Sequence, residues 1–338
     1  MCYYIPGIYH EEFSLSTYHF GKLYLPVFLN YRSCTMYNGS IVSSILQAYE
    51  EGKSSRDPRT RHWFLLDDNP LHVWILTASY IAFVIIGPKV MKDRKPFDLK
   101  NFMIVYNFGL VFLSLYLLIE IVASGYDIGY FKEDFWCCPY NQDTHKNPAE
   151  IRIANVFWWY FISKLLEFMD TVLMVLRKKN DQITFLHVYH HSSMLNIWWW
   201  VTTYLPGGQS WFSSSLNCSV HVVMYLYYAL AAIPSMRSKL WWKKYITKFQ
   251  LIQFTLILYH TLQTTYTGCD YPMWGQYLLT WYMVSMLVLF GNFYLNAYIK
   301  KRRLGAAKKS EDHSNGSVSH KTTNGHSNGI SNGTTKVH

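Results

Sequence analysis

Charge is what this sequence has least of. Charged side chains make up 15% of its 338 residues, where a soluble domain carries about 25%. Apolar side chains make up 50% and aromatic ones 18%. The deficit is not uniform, because the charges retreat from long apolar blocks. Seven windows, near 70–88, 102–124, 153–176, 185–204, 212–233, 249–267 and 274–298, approach or exceed the roughly 17–25 residues that span a bilayer. The last, WGQYLLTWYMVSMLVLFGNFYLNAY, has no charge at all. A water-soluble domain is therefore excluded. Backbone groups in lipid must pair within their own segment, so the fold class is all-α, a polytopic membrane protein of seven helices.

A secretory signal is also missing. The opening MCYYIPGIYHEEFSL has no basic stretch followed by an apolar run and a small-residue cleavage site. The first apolar block is expected to target the chain by itself. Residues 1–35 look unlike the remainder and read as an extension or a gene-prediction artefact, with a second start at Met36. The tail lacks apolar periodicity and is rich in Ser, Asn, Gly and His, so it is expected to be disordered. Its ending, TTKVH, is a degenerate match to a dilysine retrieval signal. The domain reading is thus a luminal segment 1–69, a membrane domain 70–299 and a cytosolic tail 300–338.

The few charges present fix an orientation. Lys and Arg gather at 88–100, 177–184, 234–248 and in KKRR at 300–303, whereas the loops near 205–211 and 268–273 have none. Positive-inside places the N-terminus in the lumen and the C-terminus in the cytosol. The net charge of +10 sits mostly in these loops, which suits anionic headgroups or an anionic cofactor and not nucleic acid. Cys137, Cys138 and Cys269 fall on the luminal side, so a disulfide of Cys137 or Cys138 with Cys269 is expected, free thiols being the alternative. Asn38 begins a luminal NGS sequon, a glycosylation candidate.

Four polar constellations interrupt the apolar blocks. In SKLLEFMDT, helical spacing puts Lys164, Glu167, Asp170 and Thr171 on one stripe. Charges inside a membrane are costly and face a protein interior. A self-neutralising Lys164–Glu167 pair that pins helices is the structural alternative. In FLHVYHHSSM, His187, His190 and His191 share one face near the cytosolic mouth. In NCSVHVVMYLYY, Asn217, His221, Met224 and Tyr228 recur on one face, with Tyr225 at its edge. In TKFQLIQ, Thr247, Gln250 and Gln253 form a narrow stripe that serves a site or interhelical amide bonding equally well.

Three chemistries compete for these residues. HxxHH is a box used by di-iron membrane oxidases, which makes a metal-dependent lipid desaturase or hydroxylase the alternative. Two irons need several boxes, and the sequence has no second HxxHH and no separate HxxxH. A single metal stays open as the lesser reading, since four imidazole nitrogens could bind zinc. A channel or receptor would not call for three imidazoles beside a cytosolic mouth. Acyl transfer without metal uses imidazole as acid, base or nucleophile, with Lys164, Asn217 and the two glutamines holding a carboxylate or an oxyanion. Cys218, an in-span thiol, is a further candidate nucleophile.

Taken together and in this order, KLLEFMDT, HVYHH, NCSVHVVMYLYY and TKFQLIQ resemble the signature boxes of the ELO very-long-chain fatty-acid elongases, over about residues 57 to 303. Gln182 before the box, SMLNIWWW after it and PSMRSKLWWKKYIT later look most like the animal elongases of polyunsaturated chains. The resemblance implies a 3-oxoacyl-CoA synthase (an acyltransferase) of the endoplasmic reticulum membrane. It would join acyl-CoA and malonyl-CoA with loss of CO2 and CoA inside a helical acyl tunnel, with no tightly bound cofactor and no metal. His190 is implied as the acylated nucleophile, His221 as its aid, and His187 and His191 as tuning groups. Lys164, Glu167, Asp170, Asn217, Tyr225, Gln250 and Gln253 are implied at the substrate site, and Lys178, Lys179, Lys243 and Lys244 as CoA phosphate candidates. Implied partners are the membrane lipids and the reductases and dehydratase of the cycle; a homo-oligomer stays open. Where the family usually has Ser and a large apolar residue, this chain has Cys218 and Ser219, which argues that Cys218 is incidental and puts the packing near His221 at issue.

Overall fold

The computed structural model describes residues 55–67, 69–132, 135–140 and 147–300. The 1–35 extension, the start at Met36, the sequon at Asn38 and the tail beyond 300 lie outside them. Every regular element among the described residues is helical: α1 (Leu71–Val90), α2 (Lys100–Ile128), α3 (Pro148–Leu166), α4 (Phe168–Leu176), α5 (Phe185–Tyr204), α6 (Ser210–Ala232), α7 (Lys243–Thr267) and α8 (Met273–Tyr294). Short 3-10 turns cover Asn180–Gln182 and Pro234–Lys239, and a π turn, Leu295–Lys300, extends α8.

Local sequence sets the helix ends. Asn147 caps α3, its side chain accepting from the Ala149 N–H, with Pro148 in the first turn. Thr184 caps α5 by accepting from the His187 N–H. Gly129 and Gly268 close α2 and α7 in the left-handed conformation that glycine tolerates best.

Four helices, α1, α2, α6 and α8 with its extension, are long and apolar enough to cross a membrane. They expose large apolar side chains outward, among them Val105, Phe112, Trp281 and Val288. α3, α5 and α7 are of similar length but carry three of the four polar constellations, which lower their apolar content; the fourth is on α6. Packing contacts run in a cycle, α2–α3–α5–α8–α7–α6 and back to α2, with α1 outside against α4 and α5. The core fills the inside of that cycle around Phe157, Phe161, Leu195, Trp198 and Met286.

One end is tied by covalent and polar links. Cys137 and Cys269 form a disulfide, and the buried Cys138 thiol accepts from the Trp211 indole. Gly208 (φ +54°) packs so closely that a Cβ there would lie 3.0 Å from the Cys138 carbonyl oxygen and 3.1 Å from that of Pro139. Residues 55–66 lie over α3 and α5 at this end. Arg59 bridges Asp57 at 2.7 Å and Glu150 at 3.2 Å, and the Tyr140 hydroxyl donates to Asp57. Burial pushes the Glu150 carboxyl above its ordinary value, and Arg59 draws it part of the way back. At the opposite, basic end Phe97 N–H donates to the Leu176 carbonyl.

Candidate active site

α3 and α4 are almost one helix, interrupted at Glu167. The interruption places a buried carboxylate inside the bundle, where side chains from α3 and α6 converge on it. The Lys164 ammonium donates to Glu167 Oε1 at 2.7 Å, and His221 Nδ1 lies 3.2 Å from the same oxygen. Lys164 also donates to Asn217 Oδ1 at 3.2 Å and sits 4.4 Å from the centre of the Tyr160 ring, whose hydroxyl donates to that same Oδ1. Lys164, Glu167, Asn217 and His221 are all buried. The Lys164–Glu167 pair suggested by the sequence does form, and it is shared with Asn217 and His221 on α6. With its oxygen taken by two donors, the Asn217 amide presents its NH2 group away from them.

The three box imidazoles take separate partners. His187 Nε2 meets Thr171 Oγ1 at 2.8 Å, and Thr171 in turn meets the Tyr80 hydroxyl at 3.0 Å. His190 Nδ1 lies 3.1 Å from the Tyr282 hydroxyl on α8. His191 packs between the other two, ring centres 4.4 Å from His187 and 5.5 Å from His190. No group of three His, Cys, Asp or Glu among the described residues is arranged to hold a metal ion.

A narrow cavity of about 60 Å³ runs from His190 toward the disulfide end. Near His190 its wall includes Tyr160, Asn217, Gln253 and Tyr282; farther on come apolar residues such as Ile197, Val201, Leu279 and Met283. The α5 residues on this wall extend from His190 to Val201, about 16 Å at the helical rise. The structure therefore brings His190, Asn217 and Gln253 to the cavity wall and sets Lys164, Glu167 and His221 behind Asn217.

The remaining expected residues lie around this centre. Asp170 accepts from the Tyr225 hydroxyl at 2.8 Å, and the His221 and Tyr225 rings meet edge to face. Gln250 donates to the Met224 sulfur at 3.6 Å. The Lys178 ammonium donates to the Lys92 and Arg94 carbonyls, joining two basic loops, whereas Lys179, Lys243 and Lys244 are exposed. Cys218 is a buried free thiol in the core, off the cavity wall. Tyr160, Ser193 and Tyr282 were not picked out from sequence. Tyr160 had a signal, standing one helical turn before Lys164; Tyr282, in the uncharged last block, had none.

Comparison with known proteins adds an independent line. A family model described as ELO, GNS1/SUR4 family, matches residues 65–306. Very long chain fatty acid elongase 5 of Xenopus tropicalis is 47% identical over 277 residues, 82% of this chain and 89% of that protein. The proteins of the same name from Tachysurus fulvidraco and Homo sapiens are each 45% identical, over 286 and 280 residues. These cover 84% and 82% of this chain, and 92% and 89% of the relatives.

Proposed function

The chain belongs to the ELO family, and on that footing we propose that it is the condensing enzyme of fatty-acid elongation. In this reading it is a seven-helix protein of the endoplasmic reticulum membrane, with α3 and α4 together forming one span and the basic end in the cytosol. It joins a long-chain acyl-CoA, polyunsaturated by preference, to malonyl-CoA and yields 3-oxoacyl-CoA, CO2 and CoA.

One observation carries the proposal. His190 stands at the head of a long, mostly apolar cavity, with one ring nitrogen held at the wall and Asn217 on the facing helix. The His190 Nε2 lone pair attacks the acyl thioester carbon, the C–S bond breaks, and CoA departs. The acyl chain lies in the cavity, where apolar walls exclude water from the acyl-imidazole. Malonyl-CoA then loses CO2, and the electron pair left on its α-carbon attacks the acyl carbon. The new C–C bond forms, the C–N bond breaks, and the imidazole takes up a proton. The Asn217 NH2, aimed by Lys164 and Tyr160, donates to the thioester oxygen as charge develops on it. Glu167 holds His221 beside that position.

CoA phosphates would meet the exposed Lys179, Lys243 and Lys244 as point charges. Lys178, with its ammonium engaged by two carbonyls, would act by ordering the loop. The product requires two reductions and a dehydration, so the partners are enzymes of those classes.

The test is expression in yeast fed a panel of fatty acids, reading products two carbons longer. His190→Ala should abolish extension at unchanged protein level. Near-parental extension by that variant would remove His190 from the mechanism.

A further inference from the structure

An imidazole has two nitrogens, and which one attacks depends on where its single proton sits. Nothing on α5 itself fixes this for His190. The fixing group comes from α8. The Tyr282 hydroxyl lies 3.1 Å from His190 Nδ1 and 3.1 Å from Ser193 Oγ. Tyr282 is nearly buried and lines the cavity that His190 heads. His190 and Ser193 stand three residues apart on α5, so one phenol oxygen is gripped by both side chains of a single helical turn.

We propose that Tyr282 is the positioning residue that sets the tautomer and orientation of His190, by accepting its Nδ1–H and so leaving the Nε2 lone pair free on the cavity side. The Ser193 hydroxyl spends its one proton on the Tyr189 carbonyl at 2.6 Å, so its oxygen accepts the phenol's proton and leaves the phenol's lone pairs to accept from Nδ1–H. During attack Nε2 bonds to the acyl carbon, the thiolate leaves, and the ring becomes an acyl-imidazolium whose charge is shared with the Tyr282 oxygen. The Nδ1 proton is the one the departing thiolate finally takes up, which leaves a neutral acyl-imidazole and free CoA. The inference rests on His190 being the acylated group.

Full-length protein in nanodiscs, given a long-chain acyl-CoA without malonyl-CoA, tests it. CoA release is followed in a single turnover, and the acyl adduct is mapped by mass spectrometry. The parent should release one CoA per active protein and carry the adduct on His190. Tyr282→Phe should keep the adduct site, the burst amplitude and the apparent acyl-CoA affinity, while its burst rate falls about ten- to hundredfold, the scale of a lost hydrogen bond to a charged group. A merely structural loss would instead cut the amplitude, because misfolded protein does not react. Ser193→Ala should slow the burst in the same way but less, and it carries the test if Tyr282→Phe does not fold. An unchanged burst rate in a folded variant overturns the role of Tyr282. Absence of an adduct on His190 in the parent overturns the acyl-imidazole reading itself.

Discussion

Replacing Glu167 by Gln perturbs the site at its most connected point. Lys164 and Glu167 are 2% and 3% exposed and meet at 2.7 Å. At an effective dielectric of 20 the pair attracts by about 6 kcal/mol, most of which offsets the cost of drying both ions. Glu167→Gln keeps that cost for Lys164 and removes the attraction. The expected loss is about 3–5 kcal/mol, the penalty of stranding one buried charge. The double variant Lys164→Met, Glu167→Gln removes both ions and should recover to within about 2 kcal/mol of the parent, because the two sites are in contact and their effects do not add. Activity should not follow stability. The double variant lacks both the carboxylate that holds His221 and the ammonium that aims Asn217, so condensation should stay abolished in the restored fold. Thermal midpoints in detergent, read beside product formation in microsomes, give both quantities. A parental midpoint for Glu167→Gln, or a double variant weaker than the single, would refute the claim that these ions depend on each other.

Other outcomes follow from the same geometry. Asn217→Ala should lower turnover about a hundred- to thousandfold, the usual result of losing one oxyanion donor, with little change in acyl-CoA affinity; steady-state kinetics separate the two. Gly208→Ala should lower the thermal midpoint by an amount equivalent to about 1–3 kcal/mol, since its Cβ would press on two carbonyls at a positive φ. Glu150 binds its proton more tightly in the folded protein than in the unfolded chain. Its contribution is therefore full below its ordinary value and declines as pH rises through the raised one. Glu150→Gln should flatten that decline in a series of melting curves across pH.

Much of this was legible in the sequence because lipid leaves few options. The window 185–204 coincides with α5, and 212–233 is within two residues of α6 at either end. Helical spacing placed Lys164 and Glu167 together on one stripe, and Asn217 and His221 on another, and the structure joins the two. Other features were not legible. Glu167 interrupts α3–α4 without proline or glycine, so no residue type announces the break. α7 starts at Lys243, six residues before the apolar window, because its first turns are too polar to register by hydropathy. Tyr160 and Tyr282 looked like packing, since an aromatic ring in an apolar block gives no sign of what its hydroxyl touches. That contact depends on which helices become neighbours, and α5 and α8 are far apart in the chain.

The contrast between the four strongly apolar helices and the three polar ones bears on how this protein is made. Segments carrying Lys164, Glu167, His190 or Gln253 enter lipid at a cost that a solitary helix cannot offset. α3 neutralises Lys164 with Glu167 but reaches the bilayer before α6 is synthesised, and must wait for Asn217 and His221 to complete the bonding of that pair. The residues that make the cavity reactive are thus the ones that slow biogenesis. Apolar replacements there would speed membrane integration and yield an inert, well-inserted protein.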